Sequence, residues 1–268
     1  MFYSENFSFD GIDNEEMDIA LVTTTNTDIL NQLGTIYIEN IKAENTRTDS
    51  PYYLFGTKDI EPITLEFAYV DLKTQVPLVW DEEVLDEVID WLVTDDFKPF
   101  ISQDNEELIY YLKATKVFKK FNNEMKGMLE IEFQPYTAYA YKNYTYELNC
   151  EGSLEYDIKN ESTIKDKYYA PVIEITKTID PGDIKIENLS IPEDKALIVE
   201  HMAVGEKRII DNYNYTIFDS EGKNMFFASN RQWLRLVRKN KNNKQGINKL
   251  KITGNCKITI KCNYPKII

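Results

Sequence analysis

One stretch of the chain reads as a helix, and most of the remainder reads as strands. Within Leu78–Phe100, LVWDEEVLDEVIDWLVTDDFKPF, the apolar residues Val84, Leu85, Val88, Ile89 and Leu92 recur at i, i+1, i+4, i+5 and i+8. That recurrence places them on one face of a helix. Asp81, Glu82 and Glu83 fill the first turn, where carboxylates accept from unpaired backbone N–H groups and oppose the positive end of the dipole. Asp86, Glu87 and Asp90 are expected to point outward and Trp91 and Val93 to widen the apolar face, with Thr94-Asp95-Asp96 ending the pattern. A lone amphipathic helix must bury its apolar face on something, and only sheets are available here.

The strand pattern is clearest at Ile63–Val70, where Ile63, Leu65, Phe67 and Tyr69 alternate. Phe2–Phe9 alternates loosely and ends at the turn signal Asp10-Gly11. Met17–Thr23 and Ile36–Ile41 read as strands, with the polar stretches 23–34 and 44–51 as loops. Leu108–Ala114 and Met128–Phe133 read as a hairpin joined by an exposed, lysine-rich connection. After Tyr141 the texture changes to short strands: Tyr144–Leu148, Leu154–Ile158, Val172–Ile179, Ile184–Leu189, Ala196–Val199, Lys207–Ile210, Tyr215–Phe218, Trp233–Val237, Leu250–Ile252 and Cys256–Cys262. Pro181-Gly182, Glu221-Gly222, Gln245-Gly246 and Gly254-Asn255 punctuate them. Short strands at this spacing indicate a β-sandwich. The expected division is into domains 1–140 and 141–268 of a mainly β chain.

Composition adds a charge asymmetry. Of the 268 residues, those through Asn149 include 11 Lys+Arg against 29 Asp+Glu, and those from Cys150 onward 20 against 16. Two modules with different neighbours would produce such a split, as would solvated faces of both signs. The acidic half argues against nucleic acid as the main partner. No apolar run approaches a membrane span, so no membrane insertion is expected. The start, MFYSENFSFD, lacks the basic and apolar regions of a signal peptide, which is expected of a chain made in a cytosol.

Candidate chemistry is sparse. Cys150, Cys256 and Cys262 fit no metal or redox motif and read as buried free thiols; Cys256 and Cys262 share a face if one strand holds both. His201 is the one histidine, and HMAVGEKR gives it no nucleophile context. There is no phosphate-binding glycine loop and no zinc spacing, and no cofactor or metal is expected. The stretch from Asp10 through Glu16 departs from calcium-loop spacing and reads as a turn. The 45 acidic residues offer pairs to a glycosidase but single out none. Arg231–Lys244, RQWLRLVRKNKNNK, is the most basic stretch. An aromatic among cations could stack a sugar or a base. The plainer reading packs Trp233, Leu234, Leu236 and Val237 into the sandwich. Trp233, Tyr213, Tyr215 and Arg231 are the surface or ligand candidates.

Five pieces in order give the chain a family resemblance. They are the opening FYSENFSFDGI, then ENTRTDSPYYLFGTKDIEPITLEFAYV, then the acidic helix EEVLDEVIDWLVTDDFKPF. LIYYLKATKV with GMLEIEFQPYTAYA follows, and QGINKLKITGNCKITIKCNYPKI closes the chain. The whole resembles a siphophage distal tail protein (Dit), with looser agreement in the loops and at the lysine-rich Val117–Gly127. The resemblance implies an N-terminal β-sandwich with one α-helix that closes into a hexameric ring, continuing the tail tube at its tip. It implies a galectin-like C-terminal β-sandwich outside the ring, a platform for baseplate or receptor-binding proteins. Some longer relatives of that family carry inserted carbohydrate-binding modules; at 268 residues this chain is expected to have no room for one. The implied partners are further copies of the chain, the tail tube protein, the tail-tip hub and the receptor-binding or baseplate proteins. DNA would only pass through the lumen. Leu108–Phe133 and Thr23–Gly34 are the candidate ring-forming elements, since rings need pairable edges or hairpins. A non-catalytic structural role at the virion tail tip is expected. A saccharide-binding module and a glycoside hydrolase are the alternatives.

Overall fold

The structure, a computed structural model, describes residues 4–22, 36–43, 52–163, 168–240 and 243–266. It comprises two compact units that adjoin in sequence at Tyr141 and Lys142. The first contains β1 (Phe7–Phe9), β2 (Ile12–Asp13), β3 (Ile19–Val22), β4 (Ile36–Ala43), β5 (Tyr52–Ile60), β6 (Ile63–Asp71) and β7 (Val76–Pro77). Helix α1 (Glu82–Leu92), β8 (Lys98–Ser102), β9 (Tyr110–Phe121) and β10 (Gly127–Pro135) complete it. One antiparallel sheet runs β2-β1-β8-β9-β10-β6-β3, with β7 attached to β6, and β4 and β5 form a separate ribbon.

Alternation explains the sheet's covered face. Phe7, Phe9, Ile63, Leu65, Phe67, Leu112, Leu129, Ile131 and Phe133 are all buried, and so are Leu85, Val88, Trp91 and Leu92 of α1 in the same core. Asp81 caps the helix by accepting from the Val84 N–H at 2.9 Å. Trp91 stacks on Phe7 at 5.7 Å and donates its indole N–H to the Phe9 carbonyl at 2.9 Å. Trp91 therefore widens the apolar face as expected, but Val93 does not. Val93 is the extended C-cap residue, 38% exposed, because the helix has ended before it. Asp10 and Gly11 have φ of 52° and 80° between the paired Phe9 and Ile12. That is the primed two-residue turn that a D-G pair favours.

The second unit begins within β11 (Ala140–Cys150). It holds β12 (Ser153–Lys159), β13 (Tyr168–Tyr169), β14 (Val172–Lys177), β15 (Gly182–Asn188), β16 (Leu197–Met202), β17 (Lys207–Asp211) and β18 (Thr216–Asp219). β19 (Leu236–Val237), β20 (Ile247–Thr253) and β21 (Cys256–Lys266) follow. The sheets run β11-β21-β14-β17-β18 and β12-β20-β15-β16, with β13 and β19 as a small ribbon. Inward residues such as Ile173, Ile175, Ile184, Ile186, Ile252, Ile258 and Ile260 share one core. The chain is mainly β with one α-helix among the described residues, and antiparallel throughout its paired strands.

Two details differ from the sequence reading. The expected strand Trp233–Val237 is paired only at Leu236–Val237. Side chains bond the neighbouring backbone instead: Asn212 accepts from the Leu234 N–H at 2.7 Å, and Asn188 donates to the Arg235 carbonyl at 2.7 Å. Strand β9 continues to Phe121, well past Ala114, through a bulge opposite Glu132 and Phe133.

Candidate assembly surfaces

The first surface is the β9–β10 hairpin, which covers most of the expected Leu108–Phe133 element. The Thr23–Gly34 loop lies outside the described residues. In the hairpin, Lys116 opposes Glu132 and Phe118 opposes Glu130. The Lys116 ammonium meets the Glu132 carboxylate at 2.9 Å, which holds that carboxyl below its usual range. Lys120 bonds both Glu130 and, at 3.0 Å, the buried Glu66 of β6. Those two carboxylates hold the Lys120 ammonium above its ordinary value. Phe118 is 46% exposed amid these charges. At the tip, Asn122 accepts from the N–H groups of Glu124 and Lys126 at 2.9 and 3.0 Å. The Trp80 indole donates to the Gly127 carbonyl at 3.1 Å, so the segment leading into α1 pins the hairpin.

Acidic groups crowd other parts of this unit. Asp86, Glu87 and Asp90 project from α1 into solvent. Glu5, Glu15, Asp18 and Asp71 line a groove with Lys73 and Gln75. Among the described residues no three His, Cys, Asp or Glu side chains are arranged to hold a metal ion.

The second surface lies on the second unit. Tyr213 and Tyr215 sit in the β17–β18 turn and are 76% and 60% exposed. Trp233 is half-buried against the core, and Tyr215 meets it edge-on at 5.4 Å and 66°. Arg231 is exposed, with φ of 57°. The structure thus brings Tyr215 and Trp233 into contact. It also adds two residues that the sequence did not flag, Phe226 and Phe227. Phe226 packs 6.2 Å from Trp233 and 5.5 Å from Phe227, which is 85% exposed. Their segment crosses two sheet edges through the bridges Val199–Ser229 and Phe218–Asn224. The signal was an adjacent Phe-Phe pair among turn-forming Asn and Ser, which has no strand or helix period. His201 stands apart, 89% exposed, with Asp183 at 3.9 Å.

The chain thus combines a helix-backed antiparallel sheet in its first unit with a two-sheet sandwich in its second. A family model described as the phage tail protein N-terminal domain matches residues 2–135, and one described as the phage tail C-terminal domain matches residues 139–262. The chain belongs to this phage tail protein family. It is 24% identical over 269 residues to the SPbeta prophage-derived uncharacterized protein YomH of Bacillus subtilis (strain 168), covering 97% of each chain. Its fold matches the crystal structure of SPP1 Dit (gp 19.1), described as a paradigm of the hub adsorption apparatus in phages infecting Gram-positive hosts. There the TM-score is 0.59 at 14% identity, over 97% of this chain and 98% of the other. A chain of the phage P2 baseplate in its activated conformation with calcium matches at a TM-score of 0.50 and 10% identity, over 96% and 97% of the two chains. The chain is a phage tail component with the fold of the distal tail proteins.

Proposed function

We propose that the chain forms a hexameric ring at the virion tail tip, joining the tail tube to the host-adsorption apparatus, with no catalytic step of its own. What supports this most is the likeness to SPP1 Dit across both units, end to end, rather than in one sandwich alone. In this reading residues 1–140 build the ring, and the galectin-like residues 141–268 form a shelf outside it. The β9–β10 hairpin supplies an exposed, charge-laced element for pairing with the next copy, and the excess of carboxylates in the first unit lines the lumen. Negative walls repel DNA phosphates, so DNA in transit does not adhere.

The aromatic patch around Trp233 suits a protein partner better than a sugar. A sugar ring stacks on a flat aromatic face, whereas Tyr215 and Trp233 meet at 66° and Phe227 protrudes as a peg. Light scattering on the purified chain tests the ring, alone and with its tail tube protein. Six 31.4 kDa chains give about 188 kDa. Electron microscopy of that ring should show Asp and Glu outnumbering Lys and Arg on the inner wall. A chain that stays monomeric under both conditions, or a ring with a basic bore, overturns the reading.

A further inference from the structure

Two of the three thiols stand as a pair. Cys150 is the last residue of β11 and Cys256 the first of β21. These strands are neighbours in the five-stranded sheet. The Gly254 N–H donates to the Gly152 carbonyl at 2.8 Å and the Gly152 N–H to the Asn255 side-chain oxygen at 2.8 Å, so the two strand ends meet, and Cys150 donates its S–H to the Ile252 carbonyl at 3.6 Å. Cys150 and Cys256 are free thiols and nearly fully buried, at 2% and 1% exposure. Neighbouring strands lie about 4.8 Å apart, inside the Cα separation that a disulfide spans. Cys262 is buried six residues along the same strand from Cys256.

We propose that Cys150 and Cys256 are a disulfide-forming pair, reduced in the cytosol where the chain is made and oxidised outside it. The reaction is thiol–disulfide exchange with a small disulfide such as oxidised glutathione. One cysteine thiolate attacks the glutathione disulfide and releases one reduced glutathione. The second thiolate then displaces the other glutathione, so two protein thiols and one oxidised glutathione become one protein disulfide and two reduced glutathiones. The position favours a stabilising bridge, because it ties the first strand of the second unit to its last. It closes a loop that holds almost the whole sandwich. The pair sits at strand ends beside the turns of Gly152 and Gly254, and strand ends open locally more readily than a core does. Burial raises the Cys150 thiol above its ordinary value and the Cys256 thiol to about 12, against a smaller opposite pull from the Lys177 ammonium. Both are therefore protonated at neutral pH, and exchange is fastest in alkali.

The test incubates the full chain with oxidised glutathione at alkaline pH and, separately, refolds it from denaturant in an oxidising glutathione buffer. Free thiols are then titrated in denaturant. The expected result is one remaining thiol, assigned to Cys262, a mass lower by about 2 Da, and a peptide linking Cys150 to Cys256. The Cys262→Ala variant should oxidise alike, and Cys150→Ser should not form the bridge. Thermal melting of the oxidised chain should move up by about 5 °C or more. Three free thiols after both treatments, a lasting glutathione adduct, or a bridge through Cys262 overturns the proposal.

Discussion

Gly127 carries more of the hairpin than its size suggests. Its φ is 152°, and a Cβ added there would lie 2.1 Å from the Lys120 carbonyl oxygen. No side chain can be accommodated without moving backbone, and the Gly127 carbonyl also holds the Trp80 indole. Gly127→Ala should destabilise the chain by about 1–3 kcal/mol, through strain rather than lost contacts. Urea unfolding followed by tryptophan fluorescence would show a lower midpoint and a changed Trp80 signal. An unchanged midpoint would mean that the turn relaxes freely. The aromatic candidates show the opposite case, where exposure and not packing carries the meaning. Tyr213, Tyr215 and Arg231 could be named from composition and neighbours. Phe227 could not, because its exposure depends on a segment lying across two sheet edges.

At the scale of elements, periodicity was the reliable signal. The helix face at Leu85, Val88 and Leu92 and the alternation in β6 were legible because burial imposes periods of 3.6 and 2. β8 and β5 give no comparable signal in the sequence. Within β8 only Phe100 and Ser102 are buried, which is too short a run to register. The sequence predicts a full strand at Trp233–Val237 where asparagine side chains stand in for strand partners, which no local pattern reveals. Strand pairing also sets the pH response. Glu174 on β14 receives Lys207 from β17 at 2.7 Å and Lys261 from β21. Lys207 first and then Lys261 lower its pKa from 4.5. A depressed folded value means that its stabilising contribution is complete above the unfolded value and is lost as pH falls through the folded one. Glu174→Gln should therefore weaken the chain at pH 7 and cost progressively less below about pH 4. Urea midpoints across pH 3–7 check this, and a variant deficit that does not shrink in acid would rule out the three-strand ion pair as its source.

At the scale of the whole molecule, the chain has two separately cored units of different character. The first carries the acidic excess, and the second carries the exposed aromatic patch. If the ring is built by residues 1–140 and partners dock on residues 141–268, then damage to the patch must leave the ring intact. Phe227 is suited to the test because it is 85% exposed and so contributes little to folding. Phe227→Asp, alone and with Tyr213→Ser, places charge or removes ring area where a partner's apolar surface would sit. The expected outcome is an unchanged melting temperature and unchanged ring mass, with loss of co-purification of the adsorption proteins from assembled tails. Trp233→Ala separates the alternatives, because this ring is the half-buried centre of the patch. If it abolishes glycan-array binding while Phe227→Asp leaves tail assembly untouched, the surface serves saccharide recognition and not docking. Loss of the ring itself in Phe227→Asp would place the copy-to-copy contact on the second unit and reverse the assignment of the two halves.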